Sequence, residues 1–561
     1  MKLTLTHFLS REIAIQITAT LLFVIYALTS HGQGNKGVFS GNFQGSFNVF
    51  DVDSTIGVTE NTSPQYGTQK SSAEAFLFLN YTNYGVNMAA RFDLFNNSNL
   101  LNPTGSFTGS GLGFWQISKD IDKLSLTAGY FYEQFGSGIV FRAYEDRLIG
   151  IDYAVQGVKA SYALTENFKI KAFTGRQKGF QENRFGFGNQ IIKGVNLENQ
   201  KTFGKITIDG GASLVNRTLD NETMAGVVSE INSLPNVNER FLPKFNVYAY
   251  NAYVNVVYKG MTYGLEYVGK TKEASRNTIN GDLENKEGSV IVASAGYSKS
   301  KLGKKKKGGI GFNVQYRRVD HYNLTLSPNV RPLEGIVGFV PSLTQQSTYR
   351  LLARYAAQAI TQGEEGIQAD INITLNKENS IVINFADIKQ LSGEQLYREY
   401  YFEFNRKFNK NFKAKAGVQS IFYDQAIYQG KNGHEDVVTF TPFCELNYKI
   451  DKKNSLRMEA QYLSTEQDYG SFANLLLEWN ISPHYSFSIS DMVNVKPNRY
   501  SDNPAPDKVL HYYSAFGKYN INTSSFTLAY IKQVEGVNCS GGVCRLEPAF
   551  SGVRFTITTN F

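Results

Sequence analysis

Cysteine is nearly missing from this chain: Cys444, Cys539 and Cys544 are the 3 among 561 residues. Cys539 and Cys544 flank SGGV with no histidine beside them, so a small disulfide ring is expected ahead of a metal site, which would have only these two soft ligands. Also missing are a G-x-S-x-G elbow, an H-E-x-x-H helix, a phosphate-binding loop and a C-x-x-C pair. His321, His434, His484 and His511 are scattered, so a non-enzymatic protein with no cofactor and no metal is expected, although barrel enzymes without these motifs exist. After Leu28 no apolar run reaches the ~20 residues that a membrane helix needs. The net charge of +8 comes without an aromatic-interleaved basic face, which leaves nucleic acid unsupported as a partner.

What is present points to an exported chain. Lys2 and Arg11 precede an apolar run from Ile13 to Leu28 and small residues near Ser30 and Gly32, the pattern of a signal peptide over residues 1–32. Tyr (34), Phe (40) and Gly (50) are abundant and Pro (13) is scarce. The mean hydropathy of -0.30 looks soluble, but a lipid-facing barrel strand gives only every second residue to lipid, so an average cannot see it. Excess aromatics suit the two interfacial girdles of a barrel.

The period of two is sustained along the chain. Ala73, Ala75, Leu77, Leu79 and Tyr81 give way, after a turn, to Val86, Met88, Ala90, Phe92 and Leu94. Tyr248, Tyr250, Ala252, Val254, Val256 and Tyr258 are followed by Met261, Tyr263, Leu265 and Tyr267. The opposite faces carry Glu266, Asp370, Glu403, Lys413, Lys415, Glu445, Arg457, Glu459 and Glu478. An Arg or Lys facing hydrocarbon near the midplane costs about 2 to 4 kcal/mol, so these charges turn inward to a polar lumen of both signs. At the end of the chain Phe555, Ile557, Thr559 and Phe561 share one face, the pattern of a last strand whose terminal aromatic would be read by barrel-assembly machinery.

Short polar turns at Asn83, Lys119, Thr165, Lys259, Asn376, Asn409, Asp451 and Ser482 alternate with longer links. The expected fold is therefore all-β: residues 33–561 form a single large transmembrane antiparallel β-barrel of about 24 strands, roughly 22 to 26, with short periplasmic turns and long extracellular loops. The parity closes if STYRLLARYAA near Ser347 belongs to one long excursion from about Asp320 to Glu365 rather than to a spanning strand. Lys304 to Lys307 sit on a periplasmic turn, either solvated or against anionic headgroups or an acidic partner.

Between two such strands lies EQFGSGIVFRAYEDRLIGID, with Glu133, Arg142, Glu145, Asp146, Arg147 and Asp152 set among apolar residues. Folded into the barrel mouth, its apolar residues would pack on the wall while Arg142, Glu145, Asp146 and Arg147 pair with lumen charges. A strand-extending surface hairpin is the alternative. The block FGSGIVFRAYEDRLIGID and the closing GGVCRLEPAFSGVRFTITTNF resemble a family of uncharacterised outer-membrane barrels from Bacteroidota. That resemblance implies a location in the outer membrane of a Gram-negative bacterium and the barrel fold, with no catalytic residues.

The long links Glu133 to Asp152, Arg217 to Phe245 and Asp320 to Glu365 suit a scaffold or interaction subunit of a larger outer-membrane assembly. The alternative is a solute- or polymer-conducting channel with 133–152 as its constriction. Expected partners are membrane lipid and lipopolysaccharide, the assembly machinery during biogenesis, and other outer-membrane proteins or lipoproteins.

Overall fold

In a computed structural model, 24 antiparallel strands form one closed barrel. The structure describes residues 37–59, 68–101, 105–180, 184–277, 279–303, 307–330, 333–499, 507–540 and 543–561, and of 537–540, 543, 544 and 546 the backbone alone. The signal-peptide expectation for 1–32 and residues 304–306 of the basic run lie outside the described residues.

Closure is made by the first strand, Val38–Phe50, pairing with the last, Phe550–Asn560, so that Gln44 stands opposite Thr558 and Asn48 opposite Arg554. Elsewhere each barrel strand pairs with its sequence neighbours. Turns at the end that carries the two termini are tight. Tyr84–Gly85 and Lys259–Gly260 have positive φ at both central residues, which a two-residue type I′ hairpin requires to match the twist of its strands. The long connections gather at the opposite end.

The period of two orients the side chains as expected. Tyr248, Tyr250, Tyr263 and Leu265 are exposed on the outer face, while Glu266, Glu403, Glu445 and Glu459 are buried inside. Cys444, partly buried, keeps a free thiol among the outward residues.

The expectation of a uniformly polar lumen needs correction. Along a typical strand the inner face changes character with depth. In Val437–Lys449 the inward residues run Val437, Thr439, Thr441, Phe443, Glu445, Asn447, uncharged near the long connections and polar to charged toward the tight turns. Val155, Ile192, Val247, Ala249, Val268, Val290 and Val319 are aliphatic in that half on other strands, each with 0% exposure. These residues are dry because two connections fold back onto them.

Residues 132–154 supply Phe135, Ile139, Val140 and Phe141 to one cluster with that aliphatic wall. Residues 321–362 join the same cluster through Tyr322 and Val337, and a second one through Leu343, Leu351, Tyr355 and Ile360 against Ala386, Ile388, Leu396, Ile421 and Val437. Each fully buried aliphatic or aromatic side chain contributes roughly 1.5–3 kcal/mol, so the plug is a hydrophobic core enclosed by its own barrel. The STYRLLARYAA stretch is part of it and makes no barrel strand, which leaves the strand number even.

Candidate functional site: a plugged lumen and its seam crevice

The two plug segments are tied to each other by their backbones. Arg142 N donates to Val337 O at 2.9 Å and Phe339 N to Gly138 O at 3.1 Å, and the Tyr322 hydroxyl donates to Ile139 O at 3.2 Å. Gly338 permits this approach, because a Cβ there would stand 2.2 Å from Ile139 O.

Charges fasten the first segment to the wall. Asp152, fully buried, lies 2.8 Å from Lys178 Nζ and 2.9 Å from Arg91 Nη2, with Arg184 at 3.9 Å. It also accepts from the Tyr132 hydroxyl at 2.9 Å. Arg91 pairs in turn with Asp93 at 2.6 Å and with Glu145, so three cations face three carboxylates. Burial alone would raise the Asp152 carboxyl, but Lys178, then Arg184 and Arg91, outweigh it and hold it well below the usual carboxylate range. Glu133 forms the second anchor, 3.1 Å from Lys159 and 3.4 Å from Lys171 of the wall. Burial raises it too, and those lysines reverse the sign and leave it lowered.

The expectation that Arg142 also pairs with lumen charges is corrected. Arg142 stacks on plug aromatics, 4.3 Å from the Tyr144 ring centroid and 5.0 Å from that of Phe339. The Asp146 side chain caps a single 3-10 turn, Arg147–Ile149, by accepting from Leu148 N at 3.0 Å. Gly150 ends that turn with φ 69°, and a Cβ there would meet Leu100 O at 2.4 Å. Arg147 points outward from it, 3.0 Å from Gln44 Oε1 and 3.1 Å from Glu145.

The second segment is fastened both deep in the lumen, at Glu445, and at the mouth, at Asp468 of the connection after Leu463. Tyr349 donates to Glu445 at 3.0 Å, and Tyr355 to Asp468 at 2.9 Å. Asp468 also pairs with Arg354 at 3.2 Å and Lys431 at 2.7 Å. Burial opposes ionisation of Asp468, and the two cations lower it nonetheless.

One arc of wall escapes the plug. Around the seam of first and last strands the inner face is polar along Gln44, Ser46, Asn48, Arg554, Thr556 and Thr558, and only at its outer end do Phe50 and Phe550 join the hydrophobic core of the plug. A cavity of about 430 Å³ lies against it. Arg147 and Leu148 of the plug form its far side, with Leu148 80% exposed. Its upper border is Asn99, Leu100, Glu547 and Pro548, held by Arg545, which donates to Leu100 O at 2.6 Å and Ile149 O at 2.9 Å. Arg545 also pairs with Glu547 at 2.5 Å. The lining therefore runs from Thr558, two positions before the end of the last strand, to the connections at the opposite end.

Of the six charges singled out in 133–152, the structure brings Glu145, Arg147 and Asp152 to one network and Glu133 to another wall site, stacks Arg142 on plug aromatics, and sets Asp146 as the cap of the 3-10 turn. Phe555 and Ile557 face outward with the lipid-facing set, and Phe561 packs over Gly41, where a Cβ would stand 2.4 Å from its ring. The backbone hairpin of Gly536–Ser540 and Val543–Glu547 sets Cys539 directly opposite Cys544, but their side chains lie outside the described residues. Sequence reasoning missed Arg91, Asp93, Lys178 and Arg554 as site residues. For Arg91, Asp93 and Arg554 a signal existed: each occupies an inward position of an alternating strand.

A family model described as a family of unknown function (DUF6029) matches residues 13–561. The chain belongs to that family. No curated protein matches it. Among solved structures it is similar to the siderophore receptor PirA from Pseudomonas aeruginosa, at 8% identity and TM-score 0.41 over 93% of this chain and 80% of that one. OccAB2 of Acinetobacter baumannii aligns at 7% identity and TM-score 0.37, over 94% and 99% of the two chains. The FrpB iron transporter from Neisseria meningitidis gives 8% and 0.38, over 93% and 81%. These scores lend this family member no function.

Proposed function

We propose that this member of the family is an outer-membrane conduit for small polar solutes, closed over most of its bore by a built-in plug and passable along the seam crevice. The observation that carries this reading is the cavity of about 430 Å³ whose lining extends from Thr558 to Asn99 and Glu547, past the level at which the plug packs on the wall elsewhere. In a Gram-negative cell, of the Bacteroidota by the resemblance of its YEDR block, the tight turns would face the periplasm and the long connections the exterior. The outer aromatic face would then meet lipid and lipopolysaccharide, and Phe555, Ile557 and Phe561 would serve assembly.

Single-channel recording in planar bilayers tests the reading. The intact barrel is expected to give a small, steady current, and Leu148→Trp, which fills the crevice from the plug side, to reduce it severalfold. Silence of the intact protein that persists when 133–152 is removed would sink it.

The scaffold reading draws on a different observation. The connection 219–245 carries a helix, Asn221–Ser233, capped by Asp220, yet leaves Val237 67% and Leu242 89% exposed. Such apolar side chains on an ordered cap suit a protein partner. A lone monomer after gentle detergent extraction would remove that reading.

A further inference from the structure

The seam crevice carries charge of both signs, but the two signs are not equally available. Its carboxylates are engaged: Glu547 by Arg545 at 2.5 Å, and Glu74, 7% exposed, by the Ser98 hydroxyl at 2.6 Å. Arg545 is used up by Glu547 and two backbone carbonyls.

Arg147 and Arg554 differ. Arg147 commits Nε to Glu145 and Nη1 to Gln44, and its Nη2 has no partner among the described residues. Arg554 commits Nε to Asn48 at 2.7 Å and faces the buried Glu74 electrostatically, but no carboxylate among the described residues comes within 4 Å of it, which leaves its Nη groups open to the cavity. Both line the cavity. Their anchor points, Gln44 and Asn48, are four residues apart on one face of the first strand, roughly 13 Å at 3.3 Å per residue, so the two guanidiniums stand at different depths. Each also lies over a ring that lines the same cavity, Arg147 5.7 Å from the Phe76 centroid and Arg554 5.3 Å from that of Phe550.

We infer that the seam crevice binds small organic anions, a carboxylate on an apolar body, at two successive arginine stations. A guanidinium fork with uncommitted N–H groups matches a carboxylate, and Phe76, Leu148 and Phe550 offer surface to the rest of the molecule. The inference rests on the conduit reading for passage, though not for binding.

Benzoate and benzylammonium, alike in shape and opposite in charge, separate the two claims. Calorimetric titration of the detergent-solubilised full chain is expected to show benzoate bound at least tenfold more tightly than benzylammonium. Arg147→Gln with Arg554→Gln abolishes that preference, folding being checked by heat-modifiable gel mobility. Gln533→Arg, which adds a cation to the lining, strengthens it and stands in should the double variant fail to fold. In bilayers under a salt gradient the wild type favours chloride over potassium, and the double variant loses that bias. Binding without current would sustain the anion site and remove the conduit. Current without charge preference, or equal binding of both probes, would remove the anion site and leave the conduit.

Discussion

The two arcs of the barrel wall obey the same alternation and end in opposite states. On the arc around Val247, Ala249, Val268 and Val290 an aliphatic set faces inward near the long connections, bordered by the buried Arg217, Lys270 and Glu273 ion pairs, and the plug seals against it. On the seam arc the inward residues are Gln44, Ser46, Asn48, Thr556 and Thr558 until Phe50 and Phe550 at the outer end, and a cavity is left open beside the polar stretch. Burying an amide or hydroxyl without a partner costs on the order of 1–3 kcal/mol, so an apolar plug surface would be driven away from the seam and onto the aliphatic arc. Which residues occupy alternate positions in the outer half of each strand thus decides where the lumen closes.

The largest effect on this contrast is expected from Asp152→Ala. It leaves Lys178, Arg91 and Arg184 with an uncompensated buried charge, a loss of about 3–5 kcal/mol, and should free the first plug segment, seen as a severalfold rise in conductance and faster plug proteolysis.

Acid should act on the same anchor with the same sign. The Asp152 carboxyl is depressed in the folded state, so its contribution is fully present above the unfolded value of about 3.9 and is lost as pH falls below it toward the folded value. Conductance should therefore hold steady from neutrality to about pH 5 and rise on further acidification, and a rise on alkalinisation instead would refute the anchor.

Gly338→Ala comes next. Its methyl meets Ile139 O, and overpacking of this kind costs about 1–3 kcal/mol, which should separate the two plug segments and show as increased hydrogen exchange at Arg142 and Phe339 amides.

The smallest change is Arg142→Ala. It removes stacking within the plug and no wall contact, so a drop of roughly 1 kcal/mol in thermal stability with unchanged conductance is expected.

Much of the barrel was legible in the sequence because lipid on one side and lumen on the other impose a period of two that survives any sequence drift. The strand number followed from parity once STYRLLARYAA was read as a connection. The plug was only half legible. Apolar residues in EQFGSGIVFRAYEDRLIGID reveal that it must be covered, yet which side chain each charge meets depends on strands far away in the chain: Arg91 and Lys178 for Asp152, Lys159 and Lys171 for Glu133. Arg142 looks like its charged neighbours in the sequence, and only the Tyr144 and Phe339 rings take it out of the wall network. A closed barrel implies that the first and last strands meet, but the seam crevice itself could not be read, since it depends on the register that sets Gln44 opposite Thr558 and on where the plug stops short of that wall.

Accessibility of single cysteines in reconstituted vesicles tests the contrast between the arcs most directly, using a small charged thiol reagent, a Cys444→Ser background and the unsubstituted background as blank. Thr556→Cys and Thr558→Cys on the seam should be modified readily, while Val247→Cys and Ala249→Cys on the sealed arc should stay inert. Protection of the seam positions, or equal reactivity on both arcs, would contradict the account.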